Sequence, residues 1–291
     1  MIFGARVEQA REFRCLTQSE LAAAIQVQQT AIARVEAGAL TLSDTKLDEI
    51  AKVLGFPRAF FERDVPEFFA LGSLQFRAKA STSAKERKRA HQYANLVFEL
   101  ASSLAKRLKM PAMRLPRLEG DPETAAAHLR SALSISPNTP IRNLTWILER
   151  SGVYVFSLPD FNAGCDGFSV WGAFDRKLIP AIFVSANSPG DRARHTLAHE
   201  VGELTLDELP ASRSAHERFA SEFAGAFLMP PDALKRDLVP PLDLTDFLEI
   251  KRRYGVSMQS AIVRARQLEI ISARRYAILF RDLSAQGMRL E

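Results

Sequence analysis

Apolar positions recur at helical spacing along most of this chain, and three short runs interrupt the pattern. Thr17-Gln18-Ser19-Glu20 spells a capping box just ahead of the apolar run Leu21–Ile25. Gln29 to Glu36 predicts a second short helix, closed by Ala37-Gly38. Thr45 to Leu54 predicts another, closed by Gly55 and followed by Pro57. Residues 83–110 keep helical spacing without proline or glycine; the basic run Lys85–Arg89 opens them, and Pro111 and Pro116 end them. Pro122–Leu133 and Ile141–Arg150 read as helices. The spacing then shortens: Val153–Phe156, Phe168–Trp171 and Ala181–Val184 read as strands parted by glycine and proline. Helical signals resume at Asp191 and run to the end, broken at Pro210, Pro230 and Pro240-Pro241. The pattern predicts a mainly α, α+β chain. It has a compact helical unit over 1–65, a basic helical linker over 66–115, and a C-terminal unit over 116–291 with a small sheet covered by helices.

Composition narrows the class. A length of 291 residues suggests about two domains. With 47% apolar and 25% charged residues, the chain is not disordered as a whole. Two cysteines, Cys15 and Cys165, make no disulfide framework and no metal knuckle, so a reducing cytoplasm is the expected compartment. The first residues carry charges where a signal peptide needs an apolar core, and no apolar run approaches the ~20 residues that span a bilayer, so neither secretion nor membrane insertion is expected. The net charge of +5 is unevenly spread. Residues 1–62 hold 7 Lys+Arg against 8 Asp+Glu, residues 63–119 hold 12 against 5, and the remainder 20 against 21. The basic middle segment suits phosphate or an acidic protein, and equally a solvated helical face.

Three short helices with a tight turn between the second and third suit a helix-turn-helix, whose second motif helix lies in the major groove. The side chains so placed are Gln28, Gln29 and Thr30, with Arg34 one turn later. Glutamine bonds adenine and arginine bonds guanine in bidentate fashion, and the amides near Thr17 and Gln18 suit a backbone phosphate. The stretch LTQSELAAAIQVQQTAIARVEAG, with LDEIAKVLGF as closing helix, resembles the XRE/Cro-type helix-turn-helix family over residues 3–62. Gln26 stands where that family usually has glycine, so the turn is expected to carry strain. Units of this kind also serve as protein-binding or dimerisation modules, and the near-neutral charge of residues 1–62 leaves both uses open.

The second informative stretch is Arg194-His195-Thr196-Leu197-Ala198-His199-Glu200-Val201-Gly202-Glu203. A metalloprotease helix reads HExxH: two imidazoles at i and i+4 hold zinc, and the glutamate between them activates the bound water. Here the partner four residues after His199 is Glu203. Helical geometry puts His195, His199 and Glu203 on one face, Glu200 on its flank, and Leu197, Val201 and Leu204 opposite. That face suits a metal, or the polar outside of an amphipathic helix.

The DGFS run at Asp166–Ser169, the DRARHTLAHEVGEL run and the ERFASEFAGAFLMP run at Glu217–Pro230 make residues 116–291 resemble the ImmA/IrrE family of zinc-metallopeptidase-like domains. The resemblance implies a zincin-like fold, zinc ligands at His199, the position held by Glu203, and Glu217, and a catalytic base at Glu200. It also implies close packing of the following helix on the metal helix through Ala220, Ser221, Ala224 and Gly225. A further histidine of the family is replaced by Asp207. The order of helix-turn-helix, FRA-type motif (Gln75-Phe76-Arg77-Ala78) and this domain is itself a recognised layout, whose members generally run on past the point reached at Glu291. Zinc accepts carboxylate oxygens, but an added carboxylate makes it a weaker Lewis acid and tilts preference toward Mg or Mn. His195 is an alternative imidazole, His216 beside Glu217 is a spare candidate ligand that reads more readily as a lone surface histidine, and Cys165 reads as a small buried or half-buried thiol that could line the cleft.

The expected function is a cytoplasmic, dimeric DNA-binding regulator, bound to double-stranded operator DNA and to a protein partner such as a toxin or a repressor. The resemblance implies a stress-response role or that of an autoregulating antitoxin. The alternative is a metal-dependent endopeptidase that cuts a repressor.

Overall fold

The computed structural model describes residues 3–66, 83–159, 166–174, 177–206 and 212–287. Cys165, Asp207 and the Gln75–Ala78 motif lie outside these residues. The chain divides into two compact units.

The first unit holds α1 (Gly4–Phe13), α2 (Gln18–Ala24), α3 (Gln29–Glu36), α4 (Asp44–Leu54), α5 (Arg58–Phe61) and α6 (Ala84–Ala105). Its first five helices close over Val7, Ala10, Leu21, Ile25, Ile32, Val35, Leu47, Ile50, Leu54 and Phe61, all buried. The capping box forms as the sequence predicts: the Glu20 amide donates to Thr17 Oγ1 at 3.1 Å and the Thr17 amide to Glu20 Oε2 at 2.5 Å. Gln26 adopts a φ of 56°, the left-handed conformation expected to be strained at that turn. At Gly4, a Cβ would fall 2.0 Å from the Val35 carbonyl, so only glycine lets the start of α1 meet the end of α3.

The basic segment is shorter as a helix than its spacing suggests, ending at Ala105 well before Pro111. Ala90, Ala94 and Phe98 are buried, and α6 packs on α1. Arg6 on α1 is 1% exposed and grips both Glu99 oxygens of α6 at 2.8 Å, with the Arg63 and Asp64 carbonyls as further acceptors. Lys85 and Lys88 pair with Glu20 and Glu12. The opening of the basic run is therefore neither fully solvated nor fully free to meet phosphate.

The second unit is built around α10 (Arg213–Leu228), which packs on both α7 (Pro122–Ala132) and α9 (Gly190–Thr205). A three-stranded sheet of order β1-β3-β2 accompanies them, from β1 (Tyr154–Leu158), β2 (Gly167–Phe174) and β3 (Lys177–Ser185). β1 and β3 run parallel with Phe156 opposite Phe183. The strands fall where the sequence puts them and run longer at most ends. Helix α8 (Leu144–Arg150) starts three residues later than its spacing suggests, because Asn143 caps it through the Trp146 amide. α11 (Pro231–Asp237), α12 (Leu244–Tyr254), α13 (Met258–Gln267) and α14 (Ala273–Ala285) complete the core. Arg264 of α13 is buried, pairs with Glu123 of α7 and donates to the Met229 carbonyl.

Candidate functional site

Two places concentrate polar chemistry. In the first unit, the tight turn Ile25–Gln28 sets α3 after α2. Ile32 and Val35 anchor α3 in the core, which leaves its other edge outward. Gln28, Gln29, Thr30 and Arg34 are all exposed on that edge. Gln28 makes no capping bond with its side chain. A chain of side chains runs behind the edge: Gln29 Nε2 donates to Gln18 Oε1 at 2.7 Å, Gln18 Nε2 to Glu36 Oε2 at 2.8 Å, and Arg11 holds Glu36 from the core side at 2.6 Å. Gln29 and Gln18 are thereby held in register. The Thr17 amide, an expected phosphate contact, is already taken by Glu20. Hydrogen bonds from the Thr17 amide and hydroxyl, with Lys85 nearby, hold the Glu20 carboxyl down to about 2. Counted from the sequence, residues 1–109 carry 17 Lys+Arg against 12 Asp+Glu; α6 itself contributes 4 against 2, and Lys106, Arg107 and Lys109 just beyond it contribute three more.

The second place lies where α9 meets α10. The buried stripe Leu197, Val201 and Leu204 is as expected. The polar face is not solvated: His199 and Glu200 are both 0% exposed. The amphipathic reading of α9 is therefore wrong, because α10 covers the face that the sequence leaves open. His199, Glu200 and Glu203 each offer a donor atom within 4.8 Å of the others. His199 Nε2 sits 3.2 Å from Glu203 Oε1 and 4.0 Å from Glu217 Oε2 of α10. His195, one turn earlier and partly buried, is outside that group of three.

His216 is the residue that sequence reading misplaced. It is 6% exposed, not a surface histidine, and its Nδ1 lies 3.8 Å from Glu203 Oε1. Its only signal in the sequence was its position beside Glu217. The close approach of the two helices also has a different source from the one expected. Ser221 is exposed, and a Cβ on Gly225 would meet Arg264 of α13 at an ordinary 3.6 Å. The tight contact is Gly202 of α9, where a Cβ would stand 2.5 Å from the Phe223 ring of α10. Ala220 and Ala224 of α10 are buried.

Zinc bonds of about 2.0–2.2 Å in a tetrahedral set place neighbouring donors about 3.3–3.6 Å apart. The mutually close donors are those of His199, Glu200 and Glu203, with His199 Nε2 and Glu203 Oε1 at 3.2 Å; Glu217 approaches His199 at 4.0 Å and His216 approaches Glu203 at 3.8 Å. The donor chemistry fits a divalent ion of the zinc type.

Comparison with known families agrees with both halves. Residues 2–63 match the helix-turn-helix domain family, and residues 148–266 match the IrrE N-terminal-like domain family, Peptidase_M78. No curated protein matches the chain. No described helix is long and apolar enough to cross a membrane.

Proposed function

We propose that this chain, which joins an XRE-type helix-turn-helix domain to an IrrE N-terminal-like domain, is a transcriptional regulator. In this reading the N-terminal domain reads operator DNA, and the C-terminal domain acts by binding a partner protein or a ligand instead of by turnover. An outward α3 edge bearing Gln28, Gln29, Thr30 and Arg34 supports the first part, since these are the side-chain types that bond base edges. The 10 Lys+Arg against 4 Asp+Glu of residues 63–109 add the phosphate attraction that residues 1–62 lack. Two half-sites one helical turn apart call for a homodimer. An antitoxin that represses its own operon, with a toxin as protein partner, fits this combination, as does a stress-response regulator.

The observation that carries the second part is Glu203, standing 3.2 Å from His199 Nε2 where a hydrolytic site has an imidazole. Zinc held by such a set supplies Lewis acidity to a bound oxygen, and a carboxylate ligand reduces it. Glu200 is the residue the resemblance casts as base, and Glu203 and Glu217 bring two further carboxylates to the same place.

A gel-shift titration of the full chain against DNA upstream of its own gene tests the reading. Specific binding is expected, weakened about tenfold or more by Gln29→Ala or Arg34→Ala, the cost of one bidentate base contact. Absence of any shift at low salt refutes DNA reading. Cleavage of a co-encoded repressor that Glu200→Ala abolishes would establish the endopeptidase alternative instead.

A further inference from the structure

We propose that the outward stripe Val97, Leu100 and Leu104 on α6 is the seam through which two copies of this chain pair, α6 against α6. The inference deepens the regulator reading and rests on it, because two half-sites need two copies. α6 has three faces. Lys88, Gln92 and Glu99 meet α1 through Glu12 and Arg6. Ala90, Ala94, Phe98 and Ser102 are buried, and Phe98 lies against Gly172, where a Cβ would stand 2.5 Å from its ring. The third face is apolar and uncovered. Leu100 is 62% exposed and Leu104 47%, and Leu108, just past the end of the helix, is 58% exposed. Val97, Leu100 and Leu104 follow steps of three and four and share an arc of about 60°. That is the spacing at which one helix receives another. Tyr93, one turn earlier, is stacked on Phe13 of α1, so the open stripe begins at Val97.

Charge and size select a second copy as the occupant. From Leu96 to Ala105 the one charged residue is Glu99, and Arg6 holds it. Two identical seams therefore meet about a two-fold axis with leucine against leucine and no like charges between them. The cations of α6 and its extension stand at the two ends, within 85–89 and 106–109, whereas an acidic partner calls for them alongside the leucines. The stripe offers on the order of 300 Å² per copy, against the ~800 Å² a side of a standard interface. A pairing of that size is weak in solution and is completed when two reading domains sit on one operator. The Arg6–Glu99 pair makes this possible by fixing α6 to the domain that carries α3.

Sedimentation of the full chain tests the seam. A monomer–dimer equilibrium with a Kd on the order of 10 μM is expected. The double variant Leu100→Asn, Leu104→Asn changes no charge and should weaken it by about 100-fold. Its Tm should stay within about 2 °C of the wild type, because both side chains face water in one copy. A much larger drop in Tm shows that the leucines are buried within one copy and overturns the seam. Val53→Asn, on exposed ground in α4, should leave pairing unchanged, and an equal loss there also overturns it. Raising salt from about 0.1 to 0.5 M should preserve or strengthen pairing, since the cationic ends are then screened from each other. Pairing that weakens with salt is ionic and refutes an apolar seam. On DNA upstream of its own gene, the wild type should shift as two copies, and the double variant as one copy at about tenfold or more higher concentration. A wild type that pairs through these leucines yet shifts no DNA keeps the seam and refutes the DNA reading. A wild type that shifts DNA yet stays monomeric at about 100 μM, or whose pairing ignores both leucine substitutions, overturns the seam and leaves the DNA reading standing.

Discussion

The edge of α3 and the seam between α9 and α10 hold similar numbers of polar side chains in opposite settings. On α3 the apolar residues Ile32 and Val35 take the core, and Gln28, Gln29, Thr30 and Arg34 are left in water. On α9 the second face is covered too, and His199 and Glu200 are fully buried. An exposed polar group has solvent to satisfy it and can exchange that for a base edge at little cost. A buried one must be satisfied within the protein or by an ion it encloses. The first arrangement suits a changeable, external partner; the second suits a fixed, internal one.

Four substitutions break or sharpen this contrast. The largest effect is expected from Arg6→Leu, which leaves Glu99 without its bidentate partner and frees two carbonyl acceptors in the first unit. A loss of about 3 kcal/mol, at the low end for breaking a buried pair because Glu99 is partly solvated, should appear as an earlier unfolding transition and weaker DNA binding. Unchanged stability would mean that α6 contributes little to the module. Gly202→Val comes next. Its side chain would run into the Phe223 ring, and overpacking of about 2 kcal/mol should lower the second unit's melting temperature and leave operator binding intact.

Thr17→Ala removes the cap of α2, with an expected cost of about 1 kcal/mol. The pH profile sharpens that test. A carboxyl held at about 2 adds stability above its ordinary value of 4.5, and that stability is lost as pH falls from 4.5 toward 2. In Thr17→Ala this acid dependence should shrink in part, because the Thr17 amide still donates to the carboxylate, read as the midpoint of a Glu20 carboxyl NMR titration rising part of the way toward 4.5. The smallest effect is a gain. Gln26→Gly relieves a φ of 56° and should stabilise the turn by up to about 1 kcal/mol; a loss instead would show that the Gln26 side chain itself matters.

Local chemistry was legible in the sequence. The Thr17 box, the span of α3, the turn at Gln26 and the three strands all follow from neighbours within a few positions. What escaped was chemistry decided by distant contacts. Arg6 meets Glu99 across 93 positions, so nothing near either residue announces that α6 docks on α1. His216 looked superficial because its own helix is flanked by serine and glutamate, and only the packing of α10 on α9 buries it. Gly202 was passed over for the small residues of α10, although the large ring it accommodates, Phe223, stands in the same run as they do. Spacing on one helix says which residues share a face, but not what lies across from it.

The clasp of Arg6 on Glu99 has a practical corollary for anyone building hybrid repressors. A cassette severed near Pro66 would carry the exposed edge of α3 but discard its fastening and the surplus cations of residues 67–109. The transplantable fragment extends through α6, and grafts cut short of it should express poorly and tolerate salt badly.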